Sequence, residues 1–452
     1  MILLFSLLNF CLFLSNICAE DMPFIRIEMP SSPNIVGSGA RALGMGGAFI
    51  GFANDATAAS SNPGGLHQLE TKEVSIVGDY SERFEDNSIA LSPGASGKES
   101  VFNHKLNYLS AAYPFRFGYT DMIISINYQQ LYDFDRHWSY QMDYHDPFFT
   151  KPVHMNYKQD GDLYAIGLAY CTMVHPDVYL GFTLNYWGDF IHKNTWKQHY
   201  RESGNVIMPP PPAPDGIEGY YIAHKTEEYS FKGWNVNFGF WWLVNQNLRL
   251  GGVIKTPFSA DIHHKTSWMY QIHYPSAPES NITKQSKTSS NETLHMPLSY
   301  GLGLAYNASD TLRFAFDIYR TNWDDFELEQ TGGIRTSPIS GQNSSNMNPT
   351  TWLRSGVEYR IEKKNTYKSY TSYSLRSGLF YDPAPGEGKT DKVYGFSLGF
   401  GIAHKAIVFD MAYQYRTGNN VGRSALPSFG FSQDITEHKL YSSLIIHFSD
   451  NN

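Results

Sequence analysis

The chain has 452 residues, enough for two or three soluble domains or for one large barrel. Aromatic residues make up 15%, with 31 Tyr and 29 Phe, against only 17% charged residues and a mean hydropathy of −0.37, a profile that suits strands with aromatic girdles and polar interiors. The formal charge of −8, with no Lys/Arg run anywhere, excludes the clustered basic footprint that nucleic acid requires.

In chain order, Met1 to Ala19 is apolar and uninterrupted, and the acidic Glu20-Asp21 then begins a polar chain. This reads as a secretory signal peptide, cleaved after Ala19. Cleavage removes Cys11 and Cys18 and leaves Cys171, and one cysteine forms no internal disulfide. The stretch from Ser38 to Leu66 differs from everything after it, being built from Gly, Ala, Ser and Asn. Gly37, Gly39, Gly44, Gly46, Gly47 and Gly51 permit bends and close backbone approach, and Asn62-Pro63-Gly64-Gly65 closes the stretch with strong turn chemistry. Such a peptide packs inside something else. Asn62-Pro63 is expected to set the turn where this segment joins the first strand.

From Thr71 onward the sequence alternates with period two. Leu180, Phe182 and Leu184 fall on one face, opposite Gly181, Thr183 and Asn185. The pattern returns at Tyr300, Leu302, Leu304 and Tyr306, opposite Gly301, Gly303 and Ala305, and at Tyr394, Phe396, Leu398 and Phe400, opposite Gly395, Ser397 and Gly399. An apolar outer face and a small, polar inner face suit a solvated barrel lumen and not a sandwich core. On this pattern Lys in place of Phe182 or Leu302 is expected to block assembly, whereas Lys at Thr183 or Gly303 is expected to hurt less.

Such segments number about fourteen, near 71–80, 104–115, 121–133, 160–174, 177–192, 231–244 and 247–258, then 295–306, 310–322, 350–361, 372–381, 391–404, 406–417 and 437–448. Short turns such as His175-Pro176 and His404-Lys405 alternate with polar stretches, 132–159, 192–230, 261–294 and 323–349, expected to be long loops. The run Pro209 to Pro212 in one of them reads as a stiff spacer.

The run Arg41-Ala42-Leu43-Gly44-Met45-Gly46-Gly47-Ala48-Phe49, then Asn54-Asp55-Ala56-Thr57-Ala58, then Asn62-Pro63-Gly64 resembles the N-terminal hatch of the FadL family, with Gly64 where that family usually has Ala. Later stretches are similar too: Leu294-His295-Met296-Pro297 entering a strand, Asn322-Trp323-Asp324-Asp325-Phe326 ending one, and Arg376-Ser377-Gly378 in a strand closed by Asp382-Pro383. The resemblance implies an all-β fold, a transmembrane antiparallel β-barrel with a hatch, or plug, inside the lumen. It also implies an outer-membrane transporter of long-chain fatty acids or other hydrophobic compounds. The expected division is 1–19 signal peptide, 20–70 plug and 71–452 barrel.

Gly37, Gly39, Arg41, Gly44, Gly46, Gly47, Asn54, Asp55, Asn62 and Pro63 are the plug residues this reading singles out. By alternation Arg313, Asp317, Arg354, Asp410 and Arg416 face the lumen, where they either fix the plug or hold the carboxylate of an amphipathic ligand. The plug role is the better fit. No His-Glu-x-x-His and no twelve-residue calcium loop is present, so no metal and no cofactor is expected, nor any enzymatic activity. His137, His145, His154 and His263-His264 read as solvated loop residues, and Asp133 with Asp135, like Asp324 with Asp325, as surface charge. The partners expected are a hydrophobic or fatty-acid ligand, outer-membrane lipid with lipopolysaccharide, and the barrel-assembly machinery acting on a last strand that ends at Phe448. The protein is expected to be a monomer. The alternative from another class is a barrel of the same fold that transports nothing and serves as a scaffold or secretion-shuttle component.

Overall fold

The computed structural model describes residues 38–90, 93–146, 149–208, 216–339, 347–364, 370–424 and 430–448. The expected signal peptide over 1–19, Gly37, the rest of 20–37 and the Pro209 to Pro212 run lie outside the described residues. In chain order the first strands are β1 Lys72–Ile89, β2 Gly97–Phe117, β3 Thr120–Asp133, β4 Arg136–Asp146, β5 Phe149–His175, β6 Val178–Trp187 and β7 Thr195–Met208. Next come β8 Ile217–Leu243, β9 Leu248–Lys255, β10 Phe258–His273, β11 Ile282–Met296, β12 Ser299–Asn307, β13 Leu312–Thr321 and β14 Glu327–Glu329. The last are β15 Arg335–Thr336, β16 Thr350–Lys364, β17 Tyr370–Tyr381, β18 Tyr394–His404, β19 Ile407–Val421 and β20 Phe431–Phe448.

Fourteen of these, β1, β2, β3, β5, β6, β8, β9, β12, β13 and β16 to β20, pair antiparallel in sequence and close when β20 pairs β1 from Lys72↔Phe448 to Ile89↔Phe431. Closure leaves the barrel without a free edge. The outer face carries the apolar alternation: Leu180, Phe182, Phe238, Leu302, Leu304, Leu398 and Phe400 are all exposed. On β12, Tyr300 and Tyr306 bracket Leu302 and Leu304, an aromatic at each edge of an apolar band as a bilayer requires.

Three of the four stretches expected as long loops, 132–159, 192–230 and 261–294, differ from that expectation, because they fold largely into strands, whereas the described part of 323–349 has only the short β14 and β15. β4 pairs the first half of β5, which pairs β7, then β7 pairs the first half of β8, β8 pairs β10, and β10 pairs β11. β14 and β15 continue from β11. Polar composition reads as loop, but β5 and β8, each of 27 residues, run past the bilayer and present an unpaired ladder that these segments complete. Their buried residues include apolar and aromatic side chains such as Tyr200, Tyr221, Ile262 and Ile272, beside polar ones such as Gln198, Glu227 and Glu292. His264 is therefore a buried strand residue and not a solvated loop residue. Asp133 and Asp135 are likewise no mere surface charge, since both hold Lys105 Nζ at 3.0 Å.

Candidate functional site

The inner wall at the short-turn end is made of small residues. Gly181 lies beside Gly239 across β6 and β8, Gly251 beside Gly303 across β9 and β12, and Gly356 beside Gly378 across β16 and β17. A Cβ on any of them would strike the 38–69 segment: Gly181 would meet Pro63, Gly239 Asn62, Gly251 Ile50, Gly303 Gly51, and Gly356 and Gly378 the Met45–Gly46 backbone. At these glycines the space that a side chain would take is occupied by the segment's backbone. A Lys at Gly303 would therefore have to displace Gly51, a consequence that the alternation alone does not show.

The segment itself has two short helices, α1 Ala40–Gly44 and α2 Ala58–Ser61, and a 3-10 turn over Pro63–Gln68 that leads into β1. Between them Gly46 and Gly47 take φ of 68° and 80°, the left-handed region, with Arg354 packed where a Gly47 side chain would lie. So little regular structure leaves many backbone groups to satisfy, and wall side chains satisfy them. Asp317 Oδ2 accepts from Phe49 N (2.6 Å) and Ile50 N (2.9 Å). Ser397 Oγ accepts from Gly46 N (2.8 Å), Ser443 Oγ from Ala40 N (2.8 Å) and Glu73 Oε1 from Ala56 N (2.8 Å). Asn107 donates to Ser38 O (2.6 Å) and Thr183 to Ala59 O (2.6 Å). Asn62 Nδ2 donates both to Ile50 O (2.8 Å) and across to Phe240 O of β8 (2.9 Å), while its Oδ1 caps the following turn at Gly64 N.

Arg41 is the segment's charged contact with the wall. Its guanidinium meets Glu358 through two bonds, Nε at 3.1 Å and Nη2 at 3.0 Å, and Nη1 donates to Asn54 (2.5 Å). Glu358 also accepts from Arg376 (2.7 Å) and lies 3.4 Å from Arg313, and Arg376 continues to Asp410 (2.5 Å). Burial opposes the Arg41 charge, but Glu358 and Asp55 hold its pKa above the ordinary value. Asp55 accepts from Thr57 N (2.9 Å) and Oγ1 (2.5 Å). Of the expected lumen charges, Arg313 and Asp410 thus join this set, while Asp317 holds the Phe49 and Ile50 backbone. Arg354 instead pairs with Asp382 (2.9 Å) and lies over Trp352 (4.8 Å), and Arg416 pairs with Glu437 (3.3 Å). Glu358 and Arg376 are lumen charges as well: Glu358 stands four residues after Arg354 in a period-two strand and faces the same way, which is the signal by which sequence alone could find it. Gly39 packs on Thr57, Gly44 on Gly399, and Pro63 against Gly181 and Gly239. His67, stacked on Tyr179 (3.6 Å) and beside Trp241 (4.1 Å), is pushed down to about 4 by burial.

Toward the long-connection end the filling changes. Ile50 joins an apolar cluster with Leu131, Trp187, Phe231, Met296, Trp323, Phe326 and Trp352. Within it is a cavity of about 50 Å³ walled by Leu131, Tyr132, Trp187, Phe258, Met296 and Trp323. Its floor is polar and bonded: Trp187 donates to Asn235 (2.8 Å), Asn235 to Asn237 (3.0 Å), and Ser299 meets Thr321 (3.0 Å), with Lys255 among them. Above it four rings stack across four chain segments, Phe134 on Trp196 (4.9 Å), Trp196 on Tyr229 (4.8 Å) and Tyr229 on His264 (4.2 Å). Burial lowers the His264 pKa, but Glu227 at 3.4 Å and Glu292 at 3.2 Å outweigh it and leave the net shift upward. Two further cavities are polar, one of about 80 Å³ between β1, β2, β3 and β20, and one of about 170 Å³ at the Arg41, Glu358 and Asp410 cluster. No group of side chains able to hold a metal ion occurs among the described residues.

No protein-family model and no curated protein sequence matches the chain. Solved structures do. A FadL homologue of Pseudomonas aeruginosa matches at a TM-score of 0.56 and 13% identity, over 92% of this chain and 100% of that one. The toluene transporter TodX of P. putida matches at 0.58 and 14%, over 92% and 100%, and the monoaromatic hydrocarbon channel CymD at 0.52 and 14%, over 93% and 100%. At such identities the likeness is one of fold, and the chain has the FadL-like fold: a closed fourteen-stranded antiparallel β-barrel.

Proposed function

We propose that this protein is an outer-membrane channel for passive uptake of hydrophobic small molecules, long-chain fatty acids among them, and that residues 20–70 act as its plug. The observation that carries the proposal is the aromatic cavity within the apolar cluster that Ile50 of the 38–69 segment joins. A bilayer leaflet of lipopolysaccharide slows apolar solutes. A protein cavity lined by Trp187, Phe258 and Trp323 offers them a lower-energy stop, with apolar burial worth about 25 cal/mol per Å². The long-connection end faces the outside, the short turns face the periplasm, and export proceeds through the 1–19 signal peptide. Similar folds occur in a toluene transporter and a monoaromatic hydrocarbon channel, which supports the ligand class. No step requires an enzyme. A closed barrel leaves no edge for pairing, which supports a monomer assembled by the barrel-assembly machinery.

The test is binding of the apolar fluorophore 1-aminoanthracene to the purified barrel, with uptake of hydrophobic compounds measured in a deletion strain. Saturable binding weakened by Trp187→Ala, together with an uptake defect restored by the wild-type chain, is the expected result. An assembled barrel that neither binds the fluorophore nor supports uptake would leave the scaffold reading in its place.

A further inference from the structure

The aromatic cavity and the charged cavity of about 80 Å³ share two wall residues, Leu131 and Tyr132. They lie where the β3–β5 register slips between Gln130 and Tyr132. A strict period of two would turn alternate side chains outward, but Asn127 to Leu131 are all buried, and the slip leaves Leu131 without a partner in the register at the end of that run, with Tyr132 half-buried behind it. The bulge therefore builds a thin partition. On one side are Trp187, Phe258 and Trp323. On the other are the bases Arg83, Arg136 and Lys439 and the acids Asp79, Asp133, Asp135 and Glu437.

Resting on the proposed uptake of hydrophobic compounds, we propose that the two cavities are halves of one site for an amphiphile with a zwitterionic head: the apolar tail lies in the aromatic half and the head in the charged half, across Leu131 and Tyr132. The charged half offers both signs within a short span, with Lys439 3.2 Å from Glu437 and both facing the same space as Asp79. A head bearing a cation and an anion gains from both sets. An anionic head meets four carboxylates, and a cationic head three bases, without a matching gain. A hydrocarbon fills only the aromatic half.

Displacement of 1-aminoanthracene from the purified full-length barrel tests this with four ten-carbon probes below their micellar concentrations: decylphosphocholine, decanoate, decyltrimethylammonium and decanol. The zwitterion is expected to displace the fluorophore at a concentration at least about ten-fold lower than the other three, as one extra bond to a charged group implies. Asp79→Asn combined with Lys439→Gln should remove that advantage while leaving fluorophore affinity unchanged, in a barrel whose unheated gel migration is that of the wild type. Equal potency of the four probes, or an advantage that survives both substitutions, overturns the two-cavity site and leaves the uptake reading intact. Failure of the fluorophore to bind at all overturns both.

Discussion

The two ends of the lumen are filled by different means. At the short-turn end the 38–69 segment lays bare backbone against wall glycines and is held by side chains from β1, β2, β6, β8, β13, β18 and β20. At the long-connection end, side chains meet side chains, and aromatic rings of irregular shape leave cavities between them. Backbone on glycine leaves little free space, because peptide groups pack closely and their hydrogen bonds are directional. Aromatic packing accommodates a guest, because apolar contact is non-directional. The exception at the short-turn end is where Arg41, Glu358, Arg376 and Asp410 replace glycine, and a polar cavity opens there.

Removing Glu358 should break the short-turn end most severely. Glu358→Ala strips the shared counter-charge from Arg41, Arg313 and Arg376, a loss of about 3 to 5 kcal/mol for a buried pair. Single-channel recordings are expected to show a new conductance, with fluorophore binding at the other end retained; a silent channel would show that Glu358 does not hold the segment.

The two faces of β12 should fail differently. Leu302→Lys puts a cation into lipid at a cost of about 2 to 4 kcal/mol, so no heat-modifiable barrel is expected on gels. Gly303→Lys should assemble but displace Gly51, seen as protease cleavage within 38–69. If both variants fail to assemble, the inner face is as constrained as the outer one.

At the other end, Trp187→Ala with Phe258→Ala enlarges the aromatic cavity. Losing each ring's contact costs about 1.5 to 3 kcal/mol of ligand burial, so fluorophore affinity should fall at least about ten-fold while conductance stays at the wild-type level. A leak in this variant would mean the two ends are not independent.

Acid and alkali should separate the ends more gently. The folded-state pKa of His67 is lowered to about 4, so its contribution is present above the unfolded value of about 6.5 and is lost as pH falls through about 4. His264, raised between Glu227 and Glu292, with Lys225 3.2 Å from Glu227, contributes fully below the unfolded value and loses that contribution as pH rises through its folded one. Hydrogen-exchange protection, taken relative to the intrinsic exchange rate at each pH, is therefore expected to fall at Gly64–Gln68 on acidification and in β10 and β11 on alkalinisation. Protection that responds in the same direction at both places would refute the assignment.

The sequence by itself determined the barrel. Period-two apolar residues such as Leu302, Leu304, Leu398 and Phe400 leave one face that only lipid or a core can cover, and short turns such as His404-Lys405 fix which strands are neighbours. Local pattern suffices there because strand, face and hairpin are local properties. It also marked Arg41, Asp317 and Asp410 as residues to watch, since charge on an inward position is conspicuous. Tertiary structure alone decided the rest. That Glu358 and Arg376 join Arg41 to Asp410, that the segment's backbone occupies the space beside the wall glycines, and that polar stretches such as 261–294 become hairpins on β8 all depend on partners far away in sequence. The Leu131–Tyr132 partition depends on a one-residue slip against β5. A register is a relation between two strands, and no single stretch of chain contains it.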